Sequence, residues 1–222
     1  MMRSDVASLF PTLVMKFTDV LSKEEIDRVF TIIKGEKAGD HEALLGAGVS
    51  SYNNGGGVSS FSRTDDILSR LDIHEQVQQC LDEYCSVLHI RKVSFTNSWF
   101  NIQDVGSTLR MHHHPDSALS GALYINADEN SSPLCFENPN QLGVFQHWNP
   151  VSPSEYNCEF VAFQPRTAEM IVFPSWLRHG SMDRQNQTVD RTVISFNTEY
   201  KKEHLTKSVS YTHLTLPTIY SV

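Results

Sequence analysis

The sequence predicts a mainly β fold, a double-stranded β-helix or jelly roll, supported by N-terminal α-helices. Two observations carry this. From Val93 onward the chain breaks into short apolar or alternating runs near 94–103, 107–114, 119–126, 133–137, 158–164, 168–174 and 190–199. The turns between them hold Asp104-Val-Gly106, Ala127-Asp-Glu-Asn130 and Asp183-Arg-Gln-Asn-Gln187. Ahead of these runs lie two segments of helical period, so an antiparallel β core with helical support is expected.

In chain order, residues 9–18 read as a strand, with Pro11 marking an edge or entry. Ser22 opens a helix, because Ser22 and Glu25 form a capping-box pattern ahead of Ile26, Val29, Ile32 and Ile33. Gly35 is its expected stop. Residues 46–62 carry Tyr52-Asn-Asn-Gly-Gly-Gly57 and read as a flexible loop, either a surface connection or a flap over a site. A second amphipathic helix is expected over 73–90, with Ile73, Val77, Cys80 or Leu81, Tyr84 and Leu88 on its apolar stripe. The segment 138–157 carries three prolines and interrupts the strand series, as functional loops often do. The expected organisation is one domain over 1–208, with helical support at about 20–92 and a jelly-roll core at about 93–200. Residues 209–222 resemble a translated sequencing adapter and are set aside as a non-native tail.

Composition narrows the function. With 222 residues one core can bury most of its apolar surface. The net charge of −8 offers no basic footprint for general nucleic-acid binding. The four cysteines, Cys80, Cys85, Cys135 and Cys158, form no CxxC pair and match no zinc module. They read as reduced thiols in a cytoplasmic protein. No apolar leader or membrane-spanning run is present in the sequence given.

Chemistry concentrates in Arg110-Met-His-His-His-Pro-Asp-Ser117. On a strand, side chains two apart share a face, which groups Arg110, His112 and His114 and sends His113 the other way. His112 and His114 can therefore converge on one metal. Asp116 is the alternative to either, through a His114-x-Asp116 pair, although a turn of about four residues after His114 closes the hairpin better. His179 follows the apolar run Met170-Ile-Val-Phe173 and supplies a distant third ligand. Imidazole and carboxylate ligands with open positions suit Fe(II) oxygen chemistry, and zinc accepts the same set. Arg191 opens a strand on which Val193, Ser195 and Asn197 share its face. A buried arginine needs an anion, which a dicarboxylate cosubstrate would supply, with Ser195 as a further donor. Tyr124 shares a face with Ser120 and Ala122 and can donate to the same carboxylate or be core. Trp99 and Trp176 are candidate pocket walls.

Five motifs carry a resemblance: Asn97-Ser-Trp-Phe-Asn101, His112-His-His-Pro115, Leu119-Ser-Gly-Ala-Leu-Tyr124, Phe173-Pro-Ser-Trp-Leu-Arg-His-Gly180 and Arg191 through Asn197. In order and spacing they resemble the 2-oxoglutarate and Fe(II)-dependent oxygenases found in marine bacteria and cyanophages, over about Leu9 to Tyr200. The resemblance implies a jelly-roll core, Fe(II), and 2-oxoglutarate decarboxylated to succinate. It implies iron on His179 and two of His112, His114 and Asp116, with Arg191, Ser195, Tyr124 and Asn101 around the cosubstrate. The substrate would be a small molecule or a protein side chain. The chain departs from the family at Ala168-Glu169, where Gly-Asp is usual, at Val193, where serine is frequent, and at His114, which stands where a carboxylate ligand is expected. Two rivals stand beside this reading: a cupin-like metal enzyme not using 2-oxoglutarate, which keeps the histidines and makes Arg191 structural, and a non-catalytic jelly-roll binding module with a degenerate site.

Overall fold

The computed structural model describes residues 11–35, 53–54, 56–61, 64–140, 151–152, 154 and 157–201. Its larger sheet is built from β1 (Met15–Phe17), β3 (Gly57–Ser59), β4 (Val93–Gln103), β6 (Leu119–Asn126), β9 (Met170–Pro174) and β11 (Arg191–Tyr200). Their order is β1-β9-β6-β11-β4-β3, and every pairing is antiparallel. A second sheet runs β10-β7-β8, from β7 (Leu134–Glu137), β8 (Phe160–Phe163) and β10 (His179–Gly180). Asn53–Asn54 (β2) pairs with Thr108–Leu109 (β5). The two antiparallel sheets form the double-stranded β-helix.

Alternation divides the side chains between two cores. Phe100, Leu123, Ile125, Met170, Val172, Ile194 and Phe196 point toward the helices. Ala122, Tyr124, Ile171, Phe173 and Val193 point toward the smaller sheet, where Leu134, Phe136 and Leu177 meet them. Strand β9 is thus buried on both faces, which explains its unbroken apolar run. Helix α1 (Lys23–Gly35) starts as expected: the Ser22 N–H donates to Glu25 Oε2 at 2.8 Å, and the Glu25 N–H donates to Ser22 Oγ at 3.2 Å. It buries Ile26, Val29 and Ile33. A one-turn helix, α2 (Ile67–Arg70), precedes α3 (His74–Leu88), which buries Val77, Leu81, Tyr84 and Cys85 and ends at His89 in the left-handed conformation.

Three expectations need correction. The strand foreseen over 107–114 contracts to β5, and Arg110–His114 continues extended with one bridge, His112 to His179. Of the strand foreseen over 9–18, the described part, 11–18, is regular only at β1. The loop foreseen over 46–62 holds β2 and β3, so its last part is a sheet edge. Gly57 makes that edge feasible. Its φ is +126°, and a Cβ there would lie 2.4 Å from the Ile102 carbonyl oxygen. The remainder of the foreseen flap at 46–52, most of the loop at 138–157, residues 1–10 and the tail at 209–222 lie outside the described residues.

Candidate metal centre

His179 begins β10, and its backbone exchanges two bonds with His112: each N–H donates to the other's carbonyl at 2.9 Å. The His114 N–H donates to the Ser175 carbonyl at 2.8 Å. This pairing presses residues 109–114 against 175–181. Gly180 permits it, since a Cβ there would lie 2.8 Å from the Leu109 and Arg110 carbonyl oxygens. Three imidazoles converge as a result. One nitrogen from each of His112, His114 and His179 lies within 4.8 Å of the others. The Nε2 atoms of His114 and His179 are 3.3 Å apart.

Backbone carbonyls fix two of the rings. Nδ1 of His112 lies 2.8 Å from the Arg110 oxygen, and Nδ1 of His179 lies 2.8 Å from the Leu177 oxygen. A carbonyl only accepts, so Nδ1 carries the proton and Nε2 keeps its lone pair, as metal-binding histidines require. His179 is 4% exposed and lies beside the Phe173 ring, 4.5 Å between centroids. Burial, followed by the neighbouring imidazoles, pushes His114 down to about 4. Burial also lowers His112 and holds His179 well below the usual range. All three are neutral at pH 7, which is the ligating form.

Asp116, the alternative ligand, lies outside this cluster. The Ser117 N–H donates to the His114 carbonyl at 3.3 Å, closing a turn that leaves Asp116 exposed. His113 is exposed and is not part of the metal-ligating group.

The imidazoles open on a cavity of about 240 Å³. Its walls are the alternating faces of three adjacent strands: Trp99, Asn101 and Gln103 from β4, Ser120, Ala122 and Tyr124 from β6, and Arg191, Val193, Ser195 and Asn197 from β11. Among the described residues lining it, none is acidic. Arg191 is 6% exposed. Its Nη1 donates to Gln103 Oε1, and its Nη2 donates to the Ser132 carbonyl at 3.3 Å. Its buried Nε has no acceptor, and its guanidinium lies 5.3 Å from the centroid of the Tyr124 ring. Burial lowers the Arg191 pKa, and Tyr124 counters by raising it. Asp190 turns away and accepts from Lys34 Nζ at 2.5 Å. A guanidinium surrounded by neutral acceptors, with its buried Nε–H unused, is a ready anion site.

Two wall residues were foreseen, and one is misplaced. Trp99 lines the cavity, with Phe61 edge-on at 4.8 Å. Trp176 does not: it is 54% exposed. The Leu177 N–H donates to the Pro174 carbonyl at 2.9 Å, a turn that ends strand alternation and puts Leu177 inside instead. Gln103, Ser59 and Phe61 were not foreseen. Gln103 shares the β4 face of Trp99 and Asn101, so alternation could have found it. Ser59 and Phe61 follow a glycine run that carries no periodic signal.

Fold and site together define a jelly-roll protein with a three-histidine centre and a buried arginine on one cavity. Residues 97–197 match the family described as “Putative 2OG-Fe(II) oxygenase”, so that stretch is similar to the domains of that family. A search of curated proteins gives no match. Solved structures share the fold at low identity. HygX from Streptomyces hygroscopicus, with nickel, 2-oxoglutarate and hygromycin B bound, superposes with a TM-score of 0.57 at 10% identity, covering 86% of this chain and 84% of HygX. A prolyl hydroxylase from Trichoplax adhaerens, in complex with a hypoxia inducible factor peptide fragment, gives 0.56 at 14%, covering 83% and 82%. SnoN, an alpha-ketoglutarate dependent epimerase from nogalamycin biosynthesis, gives 0.54 at 11%, covering 85% and 78%.

Proposed function

We propose that this protein is a 2-oxoglutarate-dependent hydroxylase in which His112, His114 and His179 hold Fe(II) and Arg191 holds the far carboxylate of 2-oxoglutarate. One observation carries the reading: a single cavity joins three neutral imidazoles to a buried guanidinium, with no acid among its described lining residues. The donor set fits the metal. Carbonyl-fixed imidazoles present free Nε2 lone pairs, and three protein ligands leave positions open for a chelating cosubstrate and dioxygen.

When bound, Fe(II) supplies dioxygen activation coupled to oxidative decarboxylation of 2-oxoglutarate to succinate and CO2. The chain's own groups do the rest. The Arg110 and Leu177 carbonyls hold the His112 and His179 rings in one tautomer. Arg191 offers its unused Nε–H and its fork to a carboxylate, and Tyr124, Ser195 and Asn101 supply uncharged donors on the same wall. Trp99 and Phe61 form an aromatic wall on one side of the cavity.

The substrate class is a small molecule or a protein side chain. HygX carries hygromycin B and the Trichoplax enzyme carries a peptide, so this fold admits both. Four free thiols support a cytoplasmic setting, and no helix among the described residues is long and apolar enough to cross a membrane. The test is anaerobic Fe(II) loading, then oxygen and 2-oxoglutarate with a panel of metabolites and peptides. Iron-dependent succinate with a product one oxygen atom heavier is expected. A folded, metal-loaded protein that neither binds nor consumes 2-oxoglutarate overturns the reading and favours the cupin-like alternative.

A further inference from the structure

At its Arg191 end, the cavity backs onto a row of polar side chains that crosses the larger sheet from β1 to β11. Neighbouring strands there run β1-β9-β6-β11. Lys16 pairs with Ile171, so it shares the face that Ile171 turns toward the smaller sheet. Alternation along the β9 chain puts Glu169 on that face with Ile171 and Phe173. The Tyr124 N–H donates to the Glu169 carbonyl at 2.9 Å, and the Ala168 N–H donates to the Tyr124 carbonyl at 2.8 Å, which sets Glu169 beside Tyr124. Lys16 Nζ lies 3.0 Å from Glu169 Oε1. On the other side of Tyr124, the Arg191 guanidinium is 5.3 Å from the ring centroid. Burial raises the Tyr124 pKa, Arg191 lowers it and Glu169 raises it, as for a hydroxyl set between opposite charges. The two members of the ion pair are screened unequally. The Lys16 side chain is 40% exposed and the Glu169 side chain 8%. Water screens the ammonium more than the carboxylate, so the pair leaves a net negative field on its inner side.

We infer that the Lys16–Glu169 pair tunes the anion site at Arg191: the buried Glu169 carboxylate, one tyrosine away, weakens the hold on the far carboxylate of 2-oxoglutarate, and Lys16 limits that weakening. This rests on the proposed function. Glu169 touches neither metal nor cosubstrate on this account; it is a positioning residue that acts through the field across Tyr124. Its charge falls on whatever carboxylate reaches Arg191. 2-Oxoglutarate also chelates the metal through its 2-oxo acid end and tolerates the loss. Succinate has no 2-oxo group and depends more on Arg191, so the same repulsion favours release of the co-product.

The test uses the opposite signs of the two partners. Affinities of the Mn(II)-loaded full chain for 2-oxoglutarate and for succinate are measured by calorimetry, for the wild type, Glu169→Gln, Glu169→Asp and Lys16→Met. Glu169→Gln removes the negative charge and is expected to bind both anions at least about threefold more tightly. Lys16→Met leaves the carboxylate unopposed and is expected to bind both at least about twofold more weakly. Glu169→Asp keeps the charge and is expected to stay within about twofold of the wild type. A merely structural ion pair predicts that both removals weaken binding, or that neither changes it, and either result overturns the inference. Should Glu169→Gln not fold, the Lys16→Met arm decides alone, since that side chain is half exposed: unchanged or tighter binding overturns the inference. If the wild type binds neither Mn(II) nor 2-oxoglutarate, the proposed function fails and the inference falls with it, a result distinct from the others.

Discussion

Replacing Arg191 by glutamine keeps a polar side chain of similar reach and deletes the guanidinium. The group's present partners are neutral: the Gln103 amide oxygen, the Ser132 carbonyl and the Tyr124 ring. No carboxylate is therefore left unpaired when it goes. Losing a buried charge-assisted pair to an incoming carboxylate costs about 2–5 kcal/mol, roughly thirtyfold to several thousandfold in affinity. Neutral acceptors already hold Nη1 and Nη2, so part of the gain on binding is spent displacing or sharing them. The lower half of that range, about thirtyfold to a few hundredfold, is the expectation. Lysine should recover part of the loss, because it keeps the charge without the fork. Stability moves differently: an uncompensated buried charge opposes folding, so the melting temperature should hold or rise. The assay is 2-oxoglutarate affinity of Mn(II)-loaded protein by calorimetry, beside thermal melting. A 2-oxoglutarate affinity within threefold of wild type would refute the reasoning. So would a melting temperature that collapses with no specific effect on binding.

Further outcomes follow from the same geometry. His179→Ala should abolish divalent-metal binding and His113→Ala should leave it intact; equal loss in His113→Ala and His112→Ala, by titration with Mn(II), would contradict the grouping of the imidazoles. Gly180→Ala should keep the fold but weaken Mn(II) binding by about tenfold or more, since its Cβ would force the 109–112 backbone off β10; unchanged affinity would show that the pairing does not hold the cluster. The metal-free protein should lose stability in acid. The three imidazoles are lowered in the folded state, so the unfolded chain binds more protons below the ordinary histidine value of 6.5. The stability present above pH 6.5 is lost as the pH falls toward the folded value of about 4 for His114. His114 alone then contributes a loss on the order of 2 kcal/mol at pH 5. Denaturant midpoints that stay flat from pH 7 to 5 would contradict this.

Much of the architecture was legible because it rests on local rules. Ser22 and Glu25 announced the start of α1 through a reciprocal cap that needs no tertiary partner. Alternation foresaw which side chains of β6 and β11 share a face, and those faces line the cavity. Other features depended on distant chain. Strand β3 draws its order from β4, and nothing in a run of Asn, Gly and Ser signals that pairing. Residues 110–114 alternate like a strand without belonging to a ladder, because their neighbour is the turn and short strand after β9. Trp176 was misplaced because alternation was carried past Pro174, where a turn resets it. At Ala168, where the related motif has glycine, φ is 65°, in the left-handed region that favours glycine, so the alanine sits in a conformation that costs it energy. The partners of Arg191 were also hidden, since Gln103 and Ser132 reach it from other strands.

The most direct test of a 2-oxoglutarate/Fe(II) oxygenase is the origin of the oxygen atoms in its co-product. Fe(II)-loaded protein is given 2-oxoglutarate under 18O2, and the succinate is analysed by mass spectrometry beside that from His179→Ala. Oxidative decarboxylation by this centre places one atom of dioxygen in succinate, so succinate from the wild type should be two mass units heavier and succinate from His179→Ala should be absent. Unlabelled succinate, or equal amounts from His179→Ala, would show that 2-oxoglutarate is not oxidised at the three-histidine centre.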